Sequence, residues 1–547
     1  MRSIRVHWSL WVALLLAVPV LGVLSSWTRL DADSLSVLTH QWDTVMGGYA
    51  RTSALLALGV ALGVAVVGGL SAAAVTLLDF PGRRTLEWAL LLPLAMPAYV
   101  LAYVYTDALQ FSGPIQPLLR AAFGLEGRLW PDVRSLPGAI VLFVLCLYPY
   151  VYLLTRAALG DTGVRLMEAA RLLGAGGWRR VRTIALPLAR PALAAGVALA
   201  LMETLADYGV GSYFGLNTFT TGIYRAWLSM DDRQAAAQLA SVLLLAVVAL
   251  IALERWARRG LRVSSTRAGA TQASSPPIRV RGWRGLAVLS ACSLPVLLGF
   301  VAPVALLGRL MRQEALYGEF GLPWAMFQQW AANSLSLALV SSALAVAVAL
   351  ALGHALRRHP GRVLSGATGV VSLGYAVPGA VIAVGLLLPV SLLQTVWPAD
   401  GAWARWSPTA VITGTVLGLV YAYLVRFTSV ALQSVEAGYA HISPTLDESA
   451  RLMGTRGWRL WSRVHAPLLW RPALAAALLV FVDVMKELPA TLVLRPFDSD
   501  TLAVIAYQLA RDERLGEAAL PSLALVAVGL IPVIMLSRAM RKGPPRT

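Results

Sequence analysis

The 547 residues read as an all-α, polytopic membrane protein of about twelve transmembrane helices, arranged as two parallel six-helix repeats. Three observations lead there. The chain is 58% hydrophobic and only 14% charged, with a mean hydropathy of +0.67, too few charges to clothe a soluble globule of this size. Apolar runs of about 20 residues, enough to cross roughly 30 Å of hydrocarbon, recur from end to end. One polar island also occurs twice. Glu168 to Pro187, EAARLLGAGGWRRVRTIALP, returns 280 residues later as Glu448 to Pro467, ESARLMGTRGWRLWSRVHAP, with Glu, Arg, Gly, Gly-Trp-Arg and Pro in register.

In chain order the spans centre on residues 8–26, 52–78, 86–106, 136–155, 191–207 and 236–253, then 286–308, 334–355, 364–392, 409–425, 473–493 and 518–537. The first follows Arg2 and Arg5 as a signal peptide would, but no small-x-small cleavage site follows it, and it reads as an uncleaved helix. The third and ninth carry prolines at matching sites, Ala95-Met96-Pro97-Ala98 against Ala376-Val377-Pro378-Gly379. Each removes a backbone hydrogen bond, so Pro97 and Pro378 are expected to kink their helices and to favour a hinge or cavity at the repeat interface. The fourth and tenth spans lead into the two polar islands, about 161–190 and 441–471. The fifth and eleventh start within Arg190-Pro191-Ala192-Leu193 and Arg471-Pro472-Ala473-Leu474 and carry acidic pairs. After the sixth, residues 261–284 have the Ser, Gly, Pro and Arg content of a solvated tether. The chain therefore divides into a first repeat at 1–260, a cytoplasmic linker at 261–284 and a second repeat at 285–547. Six spans is an even number, so both copies start on the same side and are parallel rather than inverted.

A net charge of +18 would suit nucleic-acid binding if the basic residues formed a patch. With the N-terminus in the cytoplasm, however, roughly 32 of the 46 Lys and Arg fall in inner segments, which is the positive-inside pattern of a membrane protein. No nucleic acid is expected as a partner; the lipid bilayer is, with both termini cytoplasmic. The two cysteines, Cys146 and Cys292, lie inside apolar runs and offer neither a disulfide framework nor a thiolate metal site. The six histidines show no metal-ligand spacing such as H-E-x-x-H. Nowhere does G-x-x-x-x-G-K-S/T occur, so the chain has no loop to cradle ATP phosphates and its energy must come from a partner. No catalytic residue and no bound cofactor are expected in this chain.

The duplicated island carries the chemistry. Glu168-Ala169-Ala170-Arg171 is a short helical run whose alanines permit close approach of another surface, and Gly174 stops it, because glycine at the C′ position takes a left-handed conformation without a Cβ penalty. Pro187 suits the first turn of the next span. Glu448, Ser449, Ala450, Gly454 and Pro467 repeat the arrangement. This is a stiff helix–turn–helix along the membrane surface, present once per half, as two docking points for a two-fold symmetric partner would be.

Glu-Ala-Ala, then Gly, then Ile184-Ala185-Leu186-Pro187 resembles the EAA loop of permease subunits of ATP-binding-cassette importers. The second copy departs from it in Ser449 and in His465-Ala466-Pro467. The resemblance implies the type I ABC importer transmembrane fold, a bacterial inner (plasma) membrane location, coupling helices docked on an ABC ATPase dimer that binds ATP and Mg, and a periplasmic substrate-binding protein.

Carboxylates near the middle of a membrane are costly enough to count as functional candidates. Glu203 and Asp207 lie i,i+4 on one face of the fifth span, and Asp483 and Glu487 lie i,i+4 in the eleventh. Paired carboxylates are hard ligands suited to a small, highly charged cation, which makes Glu203, Asp207 and Glu487 candidates for transient metal contact, with no fixed metal site. Lys486 lies i,i+3 from Asp483, so a neutralising ion pair within the bundle is the other reading, and an outer gate is compatible with either. The strings Met202-Glu203-Thr204-Leu205-Ala206-Asp207-Tyr208-Gly209 and Met485-Lys486-Glu487-Leu488-Pro489-Ala490-Thr491 resemble those of fused iron(III) permeases along nearly the full length. That resemblance implies ferric iron as substrate and puts Tyr208 and Lys486 on the substrate path or gate. Fused thiamine permeases share the layout. A major-facilitator-like secondary transporter also has twelve spans as six plus six, and Asp79-Phe80-Pro81-Gly82-Arg83-Arg84 echoes its short basic loop, but here each half has its own polar loop after its fourth span.

Overall fold

The computed structural model describes residues 4–28, 32–258, 278–319, 321–358, 361–398, 403 and 406–541. Eleven helices among them are long and apolar enough to cross a membrane. The pair Arg83–Ala95 and Ala98–Leu109 is long and apolar enough only when taken together, and is bent by 92° at its break, which makes twelve if it counts as one span. Most of the linker, residues 259–277, lies outside the described residues, as do Arg2 and Arg546.

Pro97 and Pro378 do more than the expected kinking: at each the helix stops. Met96 and Val377, the residues before them, are extended with ψ 120° and 121°, and each proline sits at the N-cap of the next helix, Ala98–Leu109 or Gly379–Val396. A proline ring clashes with an α-helical residue before it, so the preceding helix ends in a 3-10 turn, Leu92–Ala95 or Gly374–Ala376, and a new one starts.

The chain forms two compact units. The first comprises Met1–Thr44, Gly222–Leu244 and Pro323–Ile505; the second comprises Val45–Thr221, Leu245–Leu322 and Ala506–Thr547. Each unit therefore joins the core of one repeat to the first span of the other.

In the first unit, helices Trp324–Arg358, Val416–Ala440 and Ala466–Lys486 pack together, and the first span, Ile4–Ser25, lies against Arg362–Ser372 and Gly379–Val396. Backbone meets backbone there. A Cβ on Gly385 would fall 1.9 Å from the Pro19 carbonyl oxygen, and one on Gly22 would fall 2.1 Å from that of Gly385. Small residues at such a crossing let helices approach where lipid provides no hydrophobic drive. Gly385→Val is expected to push the first span off and to destabilise the protein by about 1–3 kcal/mol or more, since backbone cannot step aside as a side chain can. Gly369→Ala, with open space around it inside the helix Arg362–Ser372, is the control that should not destabilise. Melting temperature in detergent checks both.

In the second unit, Gly47–Leu77, Leu136–Leu159 and Leu186–Ala206 form the same three-helix core, with Gly68 against the Tyr148 carbonyl and Gly196 against Val151. The span Gly282–Tyr317 joins it: Ala302–Tyr317 packs on Leu515–Arg541, and the Tyr105 hydroxyl donates to the Leu298 carbonyl. Leu78 and Asp79 pair in parallel with Ile278 and Arg279. The repeat extends to single hydrogen bonds. Ser53 Oγ accepts from the Phe219 N–H at 3.2 Å, and Ser334 Oγ, 281 residues on, accepts from the Leu502 N–H at 2.8 Å.

Candidate functional site

The polar islands fold as helices Asp161–Leu172 and Pro444–Leu452. Gly174 and Gly454 both have left-handed backbone, φ +81° and +82°. Around each, the carbonyls of the last turn are closed in the same way. The Ala175 N–H reaches the Ala170 carbonyl at 2.9 Å and the Gly174 N–H reaches Arg171 at 3.0 Å; Thr455 to Ala450 and Gly454 to Arg451 repeat these distances. This is a Schellman stop, with Ala170 and Ala450 as its first acceptors. A Cβ on either glycine would meet nothing within 4 Å, so the demand for glycine is conformational and not steric. Beyond the exposed Glu168, Ala169, Glu448 and Ser449, the helix ends carry bare apolar side chains: Leu172 and Leu173 are 84% and 87% exposed, Leu452 and Met453 89% and 79%. Such groups in a polar loop mark a surface that something else covers.

Pro187 and Pro467 are second in Leu186–Ala206 and Ala466–Lys486, but these helices do not begin the spans as expected from 191–207 and 473–493. The spans start at Gly177 and Trp458 and run through five-residue π-segments, Val181–Ala185 and Trp461–His465, immediately before. A proline cannot donate to the carbonyl four residues back and crowds it, and a widened turn ahead of it accommodates both defects.

The two loop helices are seated on different chemistry. Met167 packs with Leu159, Ala185 and Ala189, flanked by Ala73, Leu77, Ile184 and Leu193. In the second copy Asp447 is buried there instead. Its Oδ2 accepts from Arg357 Nε at 3.1 Å and its Oδ1 is 2.9 Å from His465 Nε2, while Arg357 Nη2 donates to the Ile442 carbonyl at 2.9 Å. Burial pushes the Asp447 carboxyl up, but the hydrogen bonds from His465 and Arg357 outweigh it and hold it below the usual carboxylate range.

The i,i+4 carboxylate pairs do not share a helical face. Glu203 and Asp483 are in the last turns, half-buried, but Asp207 and Glu487 are the first residues past the helices, extended at φ −70°, ψ 130° and φ −68°, ψ 121°. Each turns back to cap a short helix that follows, Gly209–Tyr213 or Pro489–Leu494. Asp207 Oδ1 accepts from the Val210 N–H at 2.8 Å. Glu487 Oε1 accepts from the Ala490 N–H at 2.8 Å and Oε2 from the Thr491 N–H at 2.9 Å and from its hydroxyl at 2.5 Å. The break is a consequence of unsatisfied N–H groups at a helix start inside the membrane, which a carboxylate satisfies well.

Glu487 also faces Arg426, at 3.4 Å, and both are buried. Sequence reasoning missed Arg426, although a lone arginine in the apolar string Val416 to Leu432 was the available signal. Lys486 is half-buried at the end of its helix, three residues from Asp483. Tyr208 is buried against Tyr507, ring centroids 5.8 Å apart, and Tyr507 also meets Tyr99 and donates to Ser212 Oγ at 2.8 Å. Among the described residues no three His, Cys, Asp or Glu are grouped so as to hold a metal ion.

The pattern that defines the binding-protein-dependent transport system inner membrane component family matches residues 65–263. The molybdenum transport system permease protein ModB of Escherichia coli (strain K12) is 31% identical over 197 residues, 35% of this chain and 82% of its own length. This chain belongs to that family. The permease is also 24% identical over 484 residues to the Fe(3+)-transport system permease protein FbpB 2 of Haemophilus influenzae, covering 88% of each. The probable ABC transporter permease protein y4fN of Sinorhizobium fredii is 24% identical over 535 residues, 94% of this chain and 89% of its own. The permease is thus a multi-pass inner membrane subunit of a binding-protein-dependent ABC transport system.

Proposed function

We propose that the permease imports ferric iron handed over by a periplasmic binding protein, opening alternately to the two sides of the membrane under the action of a separate ATPase dimer that binds ATP and Mg. Its N- and C-termini are cytoplasmic in this reading. The observation that carries the ATPase part is the pair of loop helices closed by matching Schellman stops, with bare Leu172-Leu173 and Leu452-Met453 at their ends. Two equivalent surfaces of this kind suit a two-fold symmetric motor. Glu168, Ala169, Glu448 and Ser449 then form the docked faces, with the half-buried Ala170 and the buried Ala450 behind them, Ala450 being out of the contact expected of it, and Pro187 and Pro467 lie where thrust enters the spans.

Iron is supported by the relative FbpB 2, whose likeness covers 88% of both chains, and Glu203, half-buried in the last turn of its span, is a carboxylate of the hard type that suits a highly charged cation. Molybdenum is the second reading, favoured by the higher identity to ModB over a shorter stretch. Uptake of radiolabelled ferric iron by the complex reconstituted with its ATPase and binding protein tests the proposal, with molybdate and thiamine as competitors. Glu203→Ala is expected to reduce iron uptake by about tenfold or more, the effect of losing one charged contact worth at least 1.4 kcal/mol. Uptake that ignores iron and is blocked by molybdate would move the assignment. Uptake driven by a proton gradient after ATP depletion would replace the ATPase reading with a secondary transporter.

A further inference from the structure

Between the repeats, the seat beneath the loop helix changes at five corresponding positions. Allowing for an offset of 281 residues in the second and eighth spans and of 280 from the fourth and tenth spans into the loop, Ala73, Thr76, Leu159, Met167 and Ala185 become His354, Arg357, Tyr439, Asp447 and His465. An apolar seat has become a polar one. Apolar contact is non-directional and its energy changes little when one surface slides over another. Hydrogen bonds to a carboxylate are directional, and weaken steeply once they leave line.

Asp447 ties three elements with its two oxygens: the end of Trp324–Arg358 through Arg357, its own helix Pro444–Leu452, and the π-segment Trp461–His465 through His465. His465 is itself held edge-on by the rings of His354 and Tyr439, at centroid distances of 5.7 and 5.5 Å. Arg357 adds a fourth tie, to the Ile442 carbonyl at the loop entry. The second helix therefore cannot tilt without breaking two charge-assisted bonds, whereas among the described side chains the first rests on the apolar cluster around Met167.

We infer that Asp447 is a positioning residue that locks the second loop helix to its spans, so that the two loops transmit motion unequally, the second as a rigid lever and the first as a yielding one. The transmission itself rests on the ATPase-driven reading; the difference in stiffness does not. The test separates them.

Nitroxide pairs at Leu452→Cys with Leu339→Cys, and at the corresponding Leu172→Cys with Leu58→Cys, use exposed sites within single units. Pulsed electron paramagnetic resonance on the full chain is expected to give a narrower distance distribution for the second pair of elements than for the first. Asp447→Asn should widen it to the width of the first, and Met167→Ala should leave the first unchanged. Equal widths in the parent protein overturn the inference, as does an unmoved width in Asp447→Asn.

In the reconstituted complex, Asp447→Asn is expected to lower substrate moved per ATP hydrolysed by about tenfold, within the range of ordinary coupling energies, while hydrolysis continues. His465→Gln, which keeps an N–H for Asp447, should hold the ratio, and His465→Ala should not. Should Asp447→Asn fail to assemble, the full exchange H354A, R357T, Y439L, D447M and H465A rebuilds the first loop's apolar seat. It is expected to assemble with a lowered ratio and a wide distribution, and parental values of both in it would overturn the role of Asp447. A parent complex whose ATP hydrolysis drives no uptake would instead defeat the functional reading and leave the spectroscopic result standing.

Discussion

The double substitution Gly174→Val with Gly454→Val is expected to abolish uptake while the protein still inserts in the membrane and purifies. Both glycines hold φ near +80°, where a side chain costs roughly 1–2 kcal/mol per residue and a β-branched one more. With open space around each Cβ position, no core contact is lost, and the penalty stays at the helix ends. There it breaks the closing bonds from Ala175 to Ala170 and from Thr455 to Ala450, so Leu172-Leu173 and Leu452-Met453 no longer point where a docked partner needs them. Gly174→Asn with Gly454→Asn is the conservative control, because asparagine tolerates the left-handed region, and it should keep a substantial part of the activity. Co-purification of the ATPase with each variant reads docking directly. Near-normal uptake by the valine pair would remove the coupling role.

Glu487→Ala is expected to have the largest effect on stability, about 3–5 kcal/mol, the range for deleting one partner of a buried ion pair. The carboxylate serves Arg426, the Ala490 and Thr491 N–H groups and the Thr491 hydroxyl, which Tyr423 approaches at 2.7 Å. Its removal leaves a helix start uncapped and takes an ion-pair partner from the buried Arg426. Adding Arg426→Cys, the residue that Cys146 provides at the corresponding place in the first repeat, should recover part of the loss, since the pair is coupled by about 0.5–3 kcal/mol. Melting of the detergent-purified variants measures this cycle. Glu487→Gln that is fully stable yet inactive in uptake would instead indicate that the carboxylate works on substrate.

These two experiments probe features that differ in how far the chain announces them. The Gly174 and Gly454 stops were legible because a left-handed helix terminus is a local requirement, met or not by one residue. The fate of Asp207 and Glu487 was not. Spacing alone puts them on a helical face with Glu203 and Asp483, but the helix ends one residue earlier, and that end depends on whether a following short helix has N–H groups to satisfy. The same limit applies at Pro97 and Pro378. Proline guarantees a lost hydrogen bond, while the choice between a kink and a 92° break at Pro97 lies with the neighbouring helices.

By itself the amino-acid order determined the membrane embedding, the number of crossings, the doubling of the chain and the two loop helices with their stops. These follow from transfer energies, backbone geometry and repetition, all of which act along the sequence. Only the tertiary structure decided that each repeat's first span joins the other repeat's core, that Glu487 meets Arg426, and that Asp447 rather than an apolar residue seats the second loop. The physical reason is that an apolar helix face carries no address: in lipid, close approach at Gly22 and Gly385, or a buried charge finding its partner, selects the neighbour, and such selection exists only once the helices are packed.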